Sequence, residues 1–290
     1  MPLAKGSDAL SGFDMRAAGR GSGPKRSALR GRQRDWQLRV GSMRSAVVLG
    51  VMTVLVSCSN SSSQSQRKVI PTPVDPATAG RIDVEVRYEG SVPPPRVIDM
   101  RSAGQCAAAH TEPVYDQSLL VAEGRLANAV VWIKDGLHNW VFAPPDDVVV
   151  VDQKGCVYAP HVAAAMVGQR VEFRNSDREA HNVHGRPQVL AAWNFLLSHP
   201  GASETLSFDK PEIAAPIGCD IHPWMRAYLA VLENPYFAVT PTSGAAALTH
   251  VPPGTYVVAA WHETLGTREQ AVTLDPSGTA TVRLTFTATR

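Results

Sequence analysis

Three side chains with metal-binding chemistry follow one another at three-residue intervals in the last third of the chain. Cys219, His222 and Met225 offer a thiolate, an imidazole and a thioether within one short loop sequence. Soft sulfur ligands together with imidazole select copper, above all its cuprous state, whereas zinc and calcium have no need of the methionine. His181, 38 residues before Cys219, supplies a second imidazole. One cysteine, two histidines and a weak axial methionine make up a type 1 copper site.

The spacing of the histidines leaves zinc as an alternative to copper. His184 follows His181 in the pattern His-x2-His and competes with it as a ligand. Cys219 and His222 together with these two histidines could also form a tetrahedral zinc site. In a strand or tight turn, residues three apart diverge, which favours His184 as an ordinary surface histidine.

Other motifs of redox or hydrolytic enzymes are missing from the sequence. There is no Cys-x-x-Cys-His for haem attachment, no phosphate-binding glycine loop and no nucleophile elbow. His161 and His262 are expected to be structural residues near strand ends. We therefore expect that the protein is not an enzyme.

Short runs of strand-forming residues recur along the chain, and no segment keeps a helical period. Turn-forming clusters rich in Pro, Gly, Asn and Asp separate these runs. With 44% hydrophobic and 19% charged residues, the chain can bury a substantial core, which excludes a disordered protein. At least eight strands are predicted, at 81–87, 127–134, 148–152, 170–175, 205–208, 227–232, 255–261 and 279–287. An all-β fold built from β-sandwiches follows.

Residues 144–234 resemble the cupredoxins, the blue copper proteins that include amicyanin, pseudoazurin and plastocyanin. The resemblance rests on His181-Asn182, the strands at 162–175 and 204–209, and the short Cys-x2-His-x2-Met loop, which is most similar to that of amicyanin. It implies a Greek-key β-sandwich that holds one type 1 copper ion. The implied ligands are His181, Cys219, His222 and Met225.

The same resemblance gives Asn182 a supporting role, in which its hydrogen bonds hold the ligand loops together. Residues 185–210 depart from the family pattern, because this segment is longer than a minimal cupredoxin loop and contains Trp193 and His199. The surface around the site, and with it the redox partner, is therefore not given by the resemblance. Electrons are expected to pass through the edge of His222.

Two further segments, 79–143 and 235–290, resemble the first and last parts of carboxypeptidase-regulatory-like domains, which are immunoglobulin-like β-sandwiches. Neither segment alone supplies enough strands for two sheets. We predict one discontinuous sandwich made from both, with the cupredoxin-like segment inserted, while two consecutive domains divided near Asn234 remain the alternative. With this combination of segments, the chain resembles methylamine-utilisation-type lipoproteins.

The beginning of the chain reads as an export signal. Residues 1–57 carry ten basic and three acidic residues, a net charge of +7, which leaves −5 for the remainder. The apolar run 46–56 is too short to span a bilayer but suits a signal peptide, and its ending Leu-Val-Ser-Cys58 resembles a bacterial lipobox. This resemblance implies a lipid anchor on Cys58 and a location on the periplasmic side of a bacterial membrane. Met43, directly before the charged Arg44, is the expected start of translation, and the composition of residues 58–78, rich in Ser and Gln and then in Pro, predicts a flexible tether.

Export also makes the other cysteines interpretable, because disulfides form in oxidising compartments. Cys106, Cys156 and Cys219 remain after Cys58 is assigned to the lipid. We favour a Cys106–Cys156 disulfide, and two buried unpaired thiols are the alternative.

Three functions remain open. The first is a membrane-tethered one-electron carrier that serves an unidentified redox partner protein, and the second is a copper-binding or copper-delivery protein. The third is a carbohydrate- or protein-binding sandwich, for which Trp193, Trp224 and Trp261 are candidate stacking platforms. The acidic body of the chain excludes an electrostatic nucleic-acid site.

Overall fold

A computed structural model describes residues 71–288 of the chain. The signal peptide, the start at Met43, the lipidation site Cys58 and the first part of the tether lie outside the described residues. Within the described part, no helix is both long and apolar enough to cross a membrane.

The described residues form 18 β-strands and one short α-helix. The strands are β1 (Gly80–Glu89), β2 (Val121–Ala122), β3 (Arg125–Leu126), β4 (Val130–Asp135), β5 (Val149–Gln153), β6 (Tyr158–Ala159), β7 (Val162–Met166), β8 (Arg170–Asn175), β9 (His181–Gly185), β10 (Trp193–Leu197), β11 (Ser203–Ser207), β12 (Glu212–Gly218), β13 (Arg226–Leu232), β14 (Phe237–Val239), β15 (Ala245–Val251), β16 (Gly254–His262), β17 (Gly266–Leu274) and β18 (Thr279–Thr287), and the helix is α1 (Gly104–Ala108). The prediction of an all-β fold is confirmed, and a strand overlaps each of the eight predicted runs.

These strands form four sheets. Sheet I contains β15, β1, β3 and β2, and β18 pairs in parallel with β1 from Arg81 to Glu89. Sheet II has the order β14-β4-β16-β17, sheet III the order β10-β9-β12-β13-β7, and sheet IV the order β11-β8-β5-β6. Sheets I and II draw their strands from 80–135 and 237–287, whereas sheets III and IV draw theirs from 149–232. The division into domains at 143 and 234 stays a prediction.

Alternation along the strands explains how the sheets are stacked, because successive side chains point to opposite faces. In β4, Val131 and Ile133 belong to the core between sheets I and II. Their neighbours Val130 and Trp132 instead pack against sheet III, where they meet Ala230 of β13. Strand β4 is therefore hydrophobic on both faces, as expected for a strand that is covered on both sides.

The second sandwich has its own core between sheets III and IV, which includes Val151, Phe173, Val183 and Leu229. Cys219 and Met225 belong to the same cluster.

Two elements differ from the sequence expectations. Helix α1 forms although no segment of the sequence keeps a helical period, and β10 lies within the long segment 185–210. Pairing of β10 with β9 places this extra strand directly beside the predicted ligand His181.

Candidate metal centre

Three of the predicted ligands converge in the core of the second sandwich. The ligand atoms of His181, Cys219 and His222 all lie within 4.8 Å of one another. The two histidine Nδ1 atoms are 2.9 Å apart, and the Cys219 Sγ atom lies 3.8 Å from Nδ1 of His222. Metal–nitrogen bonds of about 2.0 Å and metal–sulfur bonds of about 2.3 Å suit ligand atoms at this spacing. The cluster therefore has the size of a site for a single metal ion.

The connection between β12 and β13 supplies two of these ligands. Gly218 and Arg226 pair at the base of this hairpin. Within it, the Met225 amide donates to the His222 carbonyl over 2.9 Å, and the Cys219 amide donates to the Met225 carbonyl over 3.3 Å. These bonds fold the loop tightly, and Met225 is fully buried within it.

Asn182 connects this loop to strand β9. Its Oδ1 atom accepts the Asp220 amide over 2.6 Å, while its Nδ2 atom donates to the Asp220 carboxylate over 2.9 Å. Nδ2 also donates to the side chain of Asn194 on β10 over 2.8 Å. Because Asn182 follows His181 and Asp220 follows Cys219, these bonds fix the two ligand segments relative to each other.

Asp177 is a further residue at this site that the sequence analysis missed. Its carboxylate lies 3.0 Å from Nε2 of His181 and also accepts the amides of Gly155 and Cys156 over 2.6 and 2.7 Å. A signal was present, because Asp177 ends the turn Asn-Ser-Asp four residues before the histidine. Its contact orients the His181 ring and leaves Nδ1 facing the other ligands.

The protonation of the cluster follows from these contacts. Burial lowers the pKa of His181, but the bonds to Asp177 and to the Cys219 sulfur outweigh it and raise the pKa to about 9. Burial opposes the Cys219 thiolate, yet the contact with His181 and nearby backbone amides lower the pKa of that thiol. Burial and the neighbouring His181 lower the pKa of His222. A thiolate and a neutral imidazole are the forms that bind metals.

The other cysteines are joined near the cluster. Cys106 and Cys156 form a disulfide, and Cys219 is the free cysteine among the described residues. The Cys106 sulfur lies 3.6 Å from Nε2 of His222. His222 is only 4% exposed, and the passage of electrons through its edge stays a prediction.

The remaining histidines lie apart from the cluster. His184 is on β9 but contacts the Asp220 carboxylate at 2.9 Å, on the outer side of the ligand loop. His161 pairs with Glu263, and Nδ1 of the buried His262 lies 3.2 Å from the Thr264 hydroxyl oxygen. His184 therefore does not join the cluster, in contrast to the four-residue zinc arrangement.

The candidate stacking platforms are half-buried and have partners in the protein. Trp193 packs against Phe208 with ring centroids 5.0 Å apart. Trp261 packs edge-on against Tyr228 at 5.3 Å. Trp224 contacts His222 at 5.1 Å between centroids, and its Nε1 atom donates to the Cys156 carbonyl over 3.0 Å. Each indole thus has a structural role.

Comparison with known proteins gives matches among solved structures only. No protein-family model matches the chain, and no curated protein sequence matches it. Part of the chain is similar to solved structures of an amicyanin and of a copper-containing nitrite reductase. A reduced amicyanin variant is 25% identical over 35% of this chain and 97% of its own, with a TM-score of 0.28. The copper-containing nitrite reductase from Thermus scotoductus SA-01 is 24% identical over 34% of this chain and 25% of its own, with a TM-score of 0.27.

Proposed function

We propose that this protein is an exported, membrane-tethered type 1 copper protein that carries single electrons and is not itself an enzyme. One observation carries the proposal, namely the buried convergence of His181, Cys219 and His222 in one sandwich core. Met225 follows in the same tight loop and would complete the donor set with its thioether sulfur. The bound copper ion would supply a one-electron redox couple.

The chemistry of the donors fits copper. A cysteine with a lowered pKa would supply the soft thiolate, and the two imidazoles would supply the nitrogen ligands that accompany it in copper sites. The carboxylate of Asp177 holds one imidazole through its outer nitrogen, which is the usual support for a metal-binding histidine. These contacts favour a single metal-binding arrangement of the side chains.

The rigidity of the site supports a carrier. The four proposed ligands are between 0% and 5% exposed, and hydrogen bonds from Asn182 tie their two segments together. A site that is held in one geometry by its surroundings changes little when the metal gains or loses an electron, which keeps the barrier to transfer low. Enclosure of the ligands also disfavours the binding of a substrate at the metal.

The remaining parts of the proposal concern location and partners. Lipidation of Cys58 would anchor the protein on the periplasmic side of a bacterial membrane, with residues 58–78 as the tether. The partner would be another redox protein. Residues 79–143 and 235–290 would form a carboxypeptidase-regulatory-like sandwich, with the cupredoxin-like residues 144–234 inserted.

The proposal is tested by adding Cu(II) to the purified protein and recording its visible absorption spectrum. We expect an intense thiolate-to-copper band, which disappears in Cys219→Ser because a hydroxyl cannot give this transition. A reversible one-electron couple in voltammetry would then distinguish a carrier from a copper-delivery protein. Absence of the band in the folded wild-type protein, or preferential retention of zinc, would refute the proposal.

A further inference from the structure

One loop of the first sandwich packs on the metal centre of the second. The loop 97–115 follows β1 and precedes β2, which both belong to sheet I. Its two ends are held together by a β-bridge between Val97 and Tyr115 and by a bond of 2.8 Å from the Ile98 amide to the Val114 carbonyl. The two ends of the loop therefore lie side by side, between the end of β1 and the start of β2.

The interior of this loop belongs to the other core. Met100 and Cys106 are buried in the cluster between sheets III and IV, together with Cys219 and Met225. His110 adds a polar contact, because its Nε2 atom lies 2.7 Å from the Gly155 carbonyl. Loop 97–115 therefore packs on the site and forms one of its walls, and its interior side chains are not exposed to solvent.

The disulfide is the part of this wall that touches the ligands. Cys106 is 0% exposed and Cys156 is 2% exposed, and the Cys106 sulfur is 3.6 Å from Nε2 of His222. A His222 ring that uses Nδ1 for a metal carries its proton on Nε2, which then points to this sulfur. Trp224 contacts the same ring and is fixed by its bond to the Cys156 carbonyl. Cys106 and Trp224 together enclose His222.

The same disulfide also reaches the second histidine. The amides of Gly155 and Cys156 donate to the Asp177 carboxylate, which contacts Nε2 of His181. Movement of the Cys156 segment would therefore disturb the support of His181 as well as the cover of His222.

We propose that loop 97–115, locked by the Cys106–Cys156 disulfide, is the cover that shields His222 and retains the metal. When the loop opens transiently, a dithiol reductant reaches the buried disulfide and reduces it by thiol–disulfide exchange, after which the cover is no longer locked. The two thiols of the reductant become a disulfide, while Cys106 and Cys156 each gain a hydrogen and become thiols. The retained ion is the copper of the proposed function, but the shielding of His222 is a property of the protein alone.

The shielding is tested without metal. Metal-free protein is treated with diethyl pyrocarbonate, and the modification rate of each histidine is followed by mass spectrometry of its peptides. We expect His222 to react at least tenfold faster in Cys106→Ser/Cys156→Ser than in the wild type. The exposed His199 should react equally in both. Equal protection of His222 in both proteins would overturn the proposal.

Two comparisons keep this result interpretable. His110→Ala keeps the disulfide and removes only the contact with Gly155, so His222 should stay protected. Exposure in this variant equal to that in the double variant would show that the disulfide is not the lock. Reaction of His262, which is buried on β16 away from the cover, at the same rate as His222 would mean that the double variant has unfolded. The decision then rests on wild-type protein before and after treatment with dithiothreitol, with the same tenfold criterion.

The retention of copper is tested separately. Transfer of copper to an excess of chelator should be at least tenfold faster from the folded double variant than from the wild type. Equal transfer rates would refute retention by the cover and leave the proposed function intact. Failure of the wild type to bind copper would refute the proposed function, while the modification of His222 still decides whether the cover exists.

Discussion

The carboxylate of Asp177 lies 3.0 Å from Nε2 of His181, on the side of the ring away from the other ligands. The same carboxylate accepts two backbone amides next to the disulfide. Asp177 therefore connects the first histidine of the cluster to the segment that carries Cys156. A negative charge in this position strengthens the imidazole as a metal donor.

Replacement of this carboxylate by an amide should weaken metal binding while the fold is retained. Asp177→Asn keeps the shape of the side chain but removes its charge, so we expect copper affinity to fall by about 10- to 100-fold. Competition with a chelator of known affinity measures the change. Asp209→Asn, which alters an exposed carboxylate, is the matched control and should leave the affinity unchanged.

The two histidines of β9 should behave differently, although they are three residues apart. His181→Gln removes a member of the buried cluster and should abolish the thiolate-to-copper band. His184→Gln should keep the band, because His184 contacts Asp220 instead of the cluster. Visible spectra of both variants with Cu(II) provide the comparison. Loss of the band in the His184 variant alone would show that His184, and not His181, is the ligand.

The closeness of three of the proposed ligands could be predicted from the sequence because their relation is local. Cys219, His222 and Met225 share one loop, so their spacing already constrains their separation. Strand composition likewise indicated eight strands, since alternation and turn residues are properties of short segments. Both features follow from neighbours along the chain.

The cover over His222 could not be predicted in the same way. Cys106 and His222 are 116 residues apart, and the segment around Cys106 has no hydrophobic period that indicates its partner. Its burial depends on the position of loop 97–115 relative to the second sandwich, which is a tertiary relationship. The sequence predicted the Cys106–Cys156 disulfide but not its contact with the proposed ligand His222.

Loss of Asn182 should affect both stability and metal binding. Asn182→Ala removes the acceptor for the Asp220 amide and two side-chain hydrogen bonds. We expect a decrease of about 1 to 3 kcal/mol in the free energy of unfolding, measured by denaturant titration. Asn194→Ala removes only contacts at the exposed edge of this network and should cost less. An equal loss in both variants would argue against a central position of Asn182.

Gly185 should tolerate no side chain, because Trp193 on the paired strand covers it. A Cβ atom at this position would overlap the indole ring, which packs against Phe208 on its other side. Gly185→Ala should therefore destabilise the protein by about 1 to 3 kcal/mol, through displacement of the indole. Gly104→Ala is the matched control, since nothing lies within 4 Å of a Cβ atom there. Thermal unfolding of both variants would show whether the cost is specific.

His262 should make the stability depend on pH below neutrality. Burial lowers the pKa of His262 from 6.5 to about 4, with a smaller contribution from His161, and the opposing effect of Glu263 does not offset it. Between these two values the unfolded chain binds a proton at this residue and the folded protein does not. The stabilisation by neutral His262 is thus fully present above pH 6.5 and is lost as the pH falls towards 4.

The loss should amount to roughly 2 to 3 kcal/mol, since one pKa unit corresponds to about 1.4 kcal/mol. Denaturant titrations at several pH values between 4 and 7 would measure it. In His262→Leu this part of the pH dependence should disappear, while replacement of the exposed His199 by Gln should preserve it. Identical slopes in the wild type and His262→Leu would contradict the assignment, because the proton taken up on unfolding would then belong to another residue.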